Sequence, residues 1–307
     1  MQSTAFQRGV WRLADPKISL ASFAGMFLAS CFAAADGALH VGWLLLTVLG
    51  IFFVEVGKNA SGEVVDFDSG TDLAVRPEDR SPFSGGKRVL VDGLLTRQQT
   101  WAIAGGCFLA AIACGLAIVL LRESRVLPLG IAGVALAWFY HGGRLRLAYR
   151  GLGELAVSLA YGPLVVCGTY LVQTGGVTPA LVNASCVLGL LVAAFLWINQ
   201  FPDYAADRSA GKRNLVVRLG LSAATHAYAL LILVAYGWLL AASLFIDGAG
   251  GMALGLIGAA PALFSVWRVR RAAGVTADIV PAQAACLLGF VLMAIGTGLG
   301  YLLLPAH

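Results

Sequence analysis

Apolar runs close to the length of a bilayer crossing recur nine times in this chain, at 18–35, 39–57, 101–121, 126–141, 154–173, 179–200, 221–246, 251–267 and 280–304. A helix needs about 20 predominantly apolar residues to cross the hydrocarbon core. Inside lipid each backbone N–H and C=O must find its partner within the protein, so runs of this kind fold as helices packed into a bundle. The expected class is an all-α, polytopic membrane protein with nine transmembrane helices. Of 307 residues, 59% are hydrophobic and only 12% charged, against about 25% charged in ordinary globular chains. The bundle therefore consumes the chain, and residues 1–307 are expected to form a single domain.

The basic residues orient that bundle. With the N-terminus in the cytosol, every Lys and Arg except Arg122 and Arg125 falls on the inner side. This is the positive-inside pattern, and for nine spans it predicts N-in and C-out. The net charge of +5 is thus topological, and no nucleic-acid partner is expected. Cytosolic connections 58–100, 142–153 and 201–220 are long and polar, whereas the outer ones are short. Loops set on a rigid scaffold carry function disproportionately, so these three are expected to cap the working site on the cytosolic face. The 38 glycines suit close helix packing in lipid. The six cysteines lie scattered in apolar runs without a CxxC pair, which suggests neither zinc nor a disulfide framework. The N-terminus is basic, but the first apolar run is long enough to span, so no cleavable signal peptide is expected.

Against this apolar background, seven of the 16 acidic residues fall in two short stretches. One runs from Asn59 through Glu63, Asp66 and Asp68 to Asp72, with Glu55 one turn upstream; the other holds Asp203 and Asp207. Carboxylates at a membrane edge are costly unless they bind something. Asn199, Asp203 and Asp207 stand at i, i+4 and i+8, which stacks them on one face of a helix. Asn59, Glu63 and Asp66 share a face in the same way, and Gly70 is expected to break the helix so that Asp72 returns from a loop. Mg²⁺ takes few protein carboxylates and completes its octahedron with water and substrate phosphate oxygens. Two facing acid clusters are therefore expected to hold Mg²⁺ bridging a diphosphate, with Asn59, Glu63, Asp66, Asp72, Asn199, Asp203 and Asp207 as candidate ligands. Arg76, Arg80, Lys87, Arg144, Arg150, Lys212 and Arg213 lie in the same three loops and suit the remaining phosphate charge.

At this point the motifs resemble a known family. Asp203-x-x-x-Asp207-Arg-x-x-Gly211-Lys212-Arg213-Asn-Leu-x-Val-Arg218-Leu-Gly is similar to the second acidic motif of the UbiA superfamily of intramembrane prenyltransferases. It is nearest to the menaquinone-type branch, which prenylates dihydroxynaphthoate. Tyr140-His-Gly-Gly-x-Leu-x-Leu-Ala-Tyr149-Arg150-Gly-Leu-Gly-Glu154, Gly162-Pro163, Gly168-Thr-Tyr170 and Val172-Gln173-Thr-Gly175 extend the likeness over roughly 55–220. The resemblance implies nine helices around a cavity open to the cytosol, in which Mg²⁺ on the two motifs holds a polyprenyl diphosphate. By position, Asp66 and Asp72 fall in the first motif and Asp203 and Asp207 in the second. Tyr140 and Arg144 resemble the family's Tyr-x-x-x-Lys pair, and Lys212 and Arg213 would contact the diphosphate. The first motif departs from the usual Asn-Asp-x-x-Asp by reading Gly62-Glu63-x-x-Asp66. The implied reaction joins an allylic cation to an electron-rich aromatic acceptor, with Asp66, Asp72, Asp203, Asp207 and Tyr140 as catalytic candidates. Phe67, Trp138, Phe139, Tyr140, Trp197 and Phe201 are candidates for stabilising the cation. The implied location is a bacterial or archaeal plasma membrane. Two other readings fit less of the pattern: a terpene cyclase or specialised prenyltransferase of the same family, and a transporter, which would place charge in mid-membrane.

Overall fold

The computed structural model describes residues 2–272 and 275–304, and every regular element among them is helical. The principal helices are α1 (Gln2–Ala14), α2 (Pro16–Ala35), α3 (Val41–Asp68), α4 (Arg97–Leu121), α5 (Leu127–His141), α6 (Gly153–Thr174), α7 (Pro179–Ser209), α8 (Leu221–Phe245), α9 (Gly250–Arg271) and α10 (Thr276–Leu303). Seven of them, α3, α4 and α6 to α10, are each long and apolar enough to cross a membrane. The α1–α2 pair, bent by 49°, makes an eighth candidate. Helix α5, expected as a crossing, has 15 residues. At 1.5 Å per residue it reaches about 22 Å, short of a hydrocarbon core of about 30 Å.

Local sequence sets the helix ends. Thr96 and Gln99 form a reciprocal capping box that starts α4, satisfying two free backbone donors. Thr178 accepts from the Leu181 amide and Pro179 occupies the first turn of α7, where a missing N–H is harmless. Helix α6 contains a π turn over Ala160–Leu164 around Pro163, the kind of local widening that absorbs an interruption of the backbone ladder. A Cβ at Gly162 would lie 2.5 Å from the Ser185 carbonyl oxygen and 2.8 Å from the Gly189 Cα. Only glycine allows α6 and α7 to approach so closely, and in lipid close approach is what drives helix association.

Helices α3 and α7 carry the acidic stretches, and their length explains where those residues sit. With 28 and 31 residues they extend roughly 42 and 46 Å, beyond what a bilayer core requires. Both acidic stretches occupy the C-terminal ends of these helices. Past α3, Gly70 takes φ +80° and a one-turn helix, Thr71–Ala74, brings Asp72 back toward the bundle. The connection to α4 is then tied down by ion pairs of 2.6 Å between Lys87 and Asp15, Arg12 and Asp92, and Arg97 and Asp68.

Candidate active site

Asp66 at the end of α3 and Asp207 at the end of α7 converge on one lysine. Lys212 Nζ lies 3.8 Å from Asp66 Oδ2 and 3.5 Å from Asp207 Oδ1. The chain delivers Lys212 there because α7 stops at Ser209, Gly211 takes φ +73°, and the Lys212 amide donates back to the Asp207 carbonyl at 2.8 Å. Burial works against the Lys212 charge, but Asp207, Asp66, Tyr149 and Asp203 together raise its pKa well above the ordinary lysine value. The Tyr149 hydroxyl donates to Asp66 Oδ1 at 2.6 Å, and the Asn214 amide to Asp207 Oδ2 at 2.7 Å. Burial, then the charge of Asp66, pushes the Tyr149 phenol up, so it remains a donor. His141 Nε2 stands 3.7 Å from Asp66.

Asp203 and Asp72 complete the acidic group. The Gly85 backbone hydrogen-bonds Asp203, yet Asp203 Oδ1 is buried with no partner, whereas Asp207 Oδ1 faces Lys212. Asp72 is 3% exposed, and a Cβ on Gly86 would come within 2.4 Å of its Oδ1. The loop backbone therefore lies directly on that carboxylate. Burial first, and then the charges of Asp66 and Glu63, push the Asp72 pKa up to about 8. No three acidic, histidine or cysteine side chains among the described residues form a ready-made metal cage. The buried, unpartnered Asp203 Oδ1 nevertheless fits an ion such as Mg²⁺, which binds through one or two carboxylates and takes the rest of its shell from phosphate and water.

Three expected ligands turn elsewhere. Asn59 donates to the Leu13 carbonyl at 2.8 Å, fastening α3 to the end of α1. Glu63 Oε1 accepts from the Leu90 amide at 2.9 Å, fastening the 75–96 connection. Asn199 Oδ1 accepts from Gln283 on α10 at 3.1 Å. Helical spacing put these residues on the right faces, but Glu63 Oε1 and Asn199 Oδ1 accept from nearer donors, and Asn59 turns its NH₂ group to the Leu13 carbonyl. Of the candidate bases, only Lys212 touches the acids. Lys87 is paired with Asp15; Arg76 is exposed and paired with Glu78 and Asp79; Arg80, Arg144, Arg150 and Arg213 are exposed.

The structure adds residues that the sequence reading left without a role. Tyr149 and Asn214 hold Asp66 and Asp207, although both stand inside the motif stretches. Arg146, between Arg144 and Arg150, stacks on Tyr149 with its guanidinium carbon 3.9 Å from the ring centre, and its Nε is buried without a partner. Its φ of +42° turns it inward, and such backbone turns leave no periodic mark in a sequence. Lys58 lies on α3 with its Nζ 5.6 Å from the Tyr140 ring centre.

Behind Tyr140 a cavity of about 670 Å³ opens between α3, α4, α5 and α6. Its walls are mostly aliphatic, with Trp138, Phe139, Tyr140 and Tyr161 among them. Trp197 instead donates its indole N–H to the Ala224 carbonyl at 3.2 Å in the core, and Phe201 is also buried there.

The arrangement defines a helical membrane protein with a buried acidic cluster gathered on Lys212 and an apolar cavity lined in part by Tyr140. The sequence profile of the UbiA prenyltransferase family matches residues 23–287, and the chain belongs to that family. It is 25% identical over 240 residues to the 1,4-dihydroxy-2-naphthoate octaprenyltransferase of Bacillus subtilis, covering 78% of this chain and 74% of that protein. It is 28% identical over 227 residues to the Escherichia coli protein of the same name, covering 71% and 70%. The fold is that of a UbiA homolog from Archaeoglobus fulgidus solved with DMAPP and Mg²⁺, with a TM-score of 0.66 at 15% identity over 93% of this chain and 99% of that one.

Proposed function

We propose that this prenyltransferase moves a polyprenyl group from an allylic diphosphate to an aromatic quinone precursor within the membrane, in a Mg²⁺-dependent reaction. The observation that carries the reading is the convergence of Asp66 and Asp207 on Lys212 beside a cavity of about 670 Å³. An amphiphile with a compact anionic head and a long apolar tail matches both parts. The names of the relatives, 1,4-dihydroxy-2-naphthoate octaprenyltransferases, and the DMAPP and Mg²⁺ bound to the Archaeoglobus homolog, support the same substrate classes.

Asp66, Asp72, Asp203 and Asp207 would hold Mg²⁺, which when bound supplies Lewis acidity and offsets charge on the leaving diphosphate. Lys212, with Arg146 behind Tyr149, presents positive charge where the diphosphate oxygens gain negative charge, a preorganised form of stabilisation. The allylic C–O bond breaks, the diphosphate departs, an electron-rich ring carbon attacks the cation, and the ring then loses a proton. Trp138, Phe139 and Tyr140, which line the cavity, would stabilise the cation through their rings, and the apolar wall would exclude the water that quenches it. We further propose that the site lies at the cytosolic face of a nine-crossing, N-in bundle in a bacterial or archaeal plasma membrane. Helix α5 would form a short crossing, and the loops 58–100, 142–153 and 201–220 would cap the site.

Mass spectrometry of products from the purified protein tests this, with Mg²⁺, prenyl diphosphates of several lengths and hydroxylated naphthoates or benzoates. Prenylated aromatic product is expected. A cyclic hydrocarbon formed without acceptor would replace the transferase reading with a cyclase, and diphosphate left intact in every mixture would sink both.

A further inference from the structure

The outward face of α9 changes character toward its end. Ala262, Ser265, Val266 and Val269 are buried against the bundle, whereas Leu263, Phe264, Trp267, Arg270 and Arg271 are exposed. At 3.6 residues per turn those five fall in one stripe about 120° wide. The stripe runs from aliphatic to aromatic to cationic as the helix reaches its last turn. In a membrane crossing by α9, which is long and apolar enough for one, Leu263 and Phe264 meet acyl chains and the arginines meet headgroups, with Trp267 at the boundary. Thr276, which opens α10, donates its hydroxyl to Asp79 Oδ1 at 3.3 Å. The stripe therefore ends on the same side of the bundle as the acidic cluster, yet none of its residues lines the apolar cavity.

Arg271 places its guanidinium carbon 4.3 Å from the Trp267 ring centre, and the Phe264 ring lies 5.6 Å from Trp267. Stacking holds the guanidinium plane while leaving its N–H edge free, the fork that matches phosphate oxygens two at a time. Among the described residues neither Arg270 nor Arg271 has a hydrogen bond or an ion pair; the Asp278 carboxylate goes to Arg268, at 3.8 Å. Membrane topology and the helix dipole both favour basic residues at this end. Neither calls for two unpaired guanidiniums above exposed aromatic rings on the outward side. A soluble acidic protein would reach the arginines but not the apolar stripe below them, whereas a phospholipid with a negatively charged headgroup matches both. We propose that Trp267, Arg270 and Arg271 form a binding site for an anionic phospholipid, its phosphate on the two guanidiniums and an acyl chain along Phe264 and Leu263. The site is separate from the acidic cluster and stands whether or not the prenyl-transfer reading does.

Native mass spectrometry of the full-length protein in detergent, titrated with phosphatidylglycerol or with phosphatidylcholine, reads lipid occupancy and oligomeric state together. A basic residue at an anionic lipid surface is worth roughly fivefold in affinity, and two about 25-fold. The parent protein is expected to prefer phosphatidylglycerol by about that factor, and the double variant Arg270→Ala with Arg271→Ala to bind the two lipids alike. Trp267→Leu, which keeps the charge, should lose about two- to fivefold. Arg8→Ala with Arg97→Ala removes the same charge from two exposed residues elsewhere and should retain the preference. Equal binding of the two lipids by the parent, an equal loss in the Arg8 and Arg97 pair, or a Trp267→Leu variant that binds as the parent does would each overturn the site and leave only general surface charge. So would a change of oligomeric state in place of a change in lipid binding, which would make the stripe an interface between copies of this chain.

Discussion

Replacing Lys212 with methionine removes the one cation that Asp66 and Asp207 share, while nearly conserving the length of the side chain. At an effective dielectric of about 20, unit charges 3.5 to 3.8 Å apart attract by between roughly 4 and 5 kcal/mol. Desolvation offsets much of this in the intact protein, but removing one partner strands the others, at a cost of about 3–5 kcal/mol. The Lys212 side chain is 17% exposed, Asp66 15% and Asp207 3%, so the low end, about 3 kcal/mol, is appropriate. At roughly 2 °C per kcal/mol for a chain of this size, the unfolding midpoint should fall by about 6 °C. Millimolar Mg²⁺ should restore part of that loss, because a divalent cation can take over as counter-charge. The metal-induced upward shift is thus expected to be larger in the variant than in the parent protein. Intrinsic tryptophan fluorescence of the detergent-solubilised protein during heating, with Mg²⁺ or with chelator, reads both quantities. A variant that melts with the parent and shows the same metal shift would refute the view that Lys212 balances these two carboxylates.

Other perturbations separate the parts of the site. Asp203→Ala and Asp66→Ala should each abolish prenyl transfer while far-ultraviolet circular dichroism stays that of the parent helix bundle; near-normal turnover in either would remove the acid cluster from the chemistry. Glu63→Ala loses the bond to the Leu90 amide and should cost about 1–3 kcal/mol of stability, visible as a lower melting midpoint, whereas the Mg²⁺ concentration for half-maximal turnover should not move. Asp72 keeps its proton in the folded protein up to about pH 8, whereas an unfolded Asp releases it near pH 4. Its contribution to metal-free stability is therefore fully present below about pH 4 and is lost as pH rises through about 8, while Mg²⁺ affinity rises over the same interval as the carboxylate is freed. Mg²⁺ titrations by calorimetry in two buffers of different ionisation enthalpy should detect proton release at about pH 7 in the parent and less in Asp72→Asn; equal release would exclude Asp72 as its source.

Hydropathy and charge foretold an all-helical membrane bundle because lipid leaves the backbone no alternative, and the same constraint explains what they missed. Hydropathy registers apolar content, not helix length. The run at 126–141 therefore reads as a span, although its helix is only 15 residues long. Asp66, Asp203 and Asp207 were visible in the sequence because a carboxylate in an apolar chain needs a reason. Asn59, Glu63 and Asn199 carried the same periodic mark, yet their partners are a backbone carbonyl at Leu13, an amide at Leu90 and a glutamine 84 residues away. Periodicity places a residue on a face; it does not say which distant segment reaches that face first. Arg146 was passed over for Arg144 and Arg150 because its inward turn depends on a positive φ that composition does not announce.

The diversion of those three side chains bears on how such a site would load. Glu63 and Asn199 are committed to protein partners, and Lys212 occupies the space between Asp66 and Asp207. What remains for a cation is a small set of oxygens, chiefly on Asp203, Asp207 and Asp72, fewer than an octahedral ion needs. The missing oxygens can come only from water or from the diphosphate. Water makes for weak binding at a buried site where burial first, and then the charges of Asp66 and Glu63, favour a proton on Asp72. A diphosphate supplies several oxygens at once and brings Lys212 a better partner than a single carboxylate, since its charge is larger and its acceptors are arranged in a fork. Metal and prenyl diphosphate would then bind with strong mutual preference. An incomplete set of protein oxygens would in this way make the diphosphate itself part of any metal site formed there.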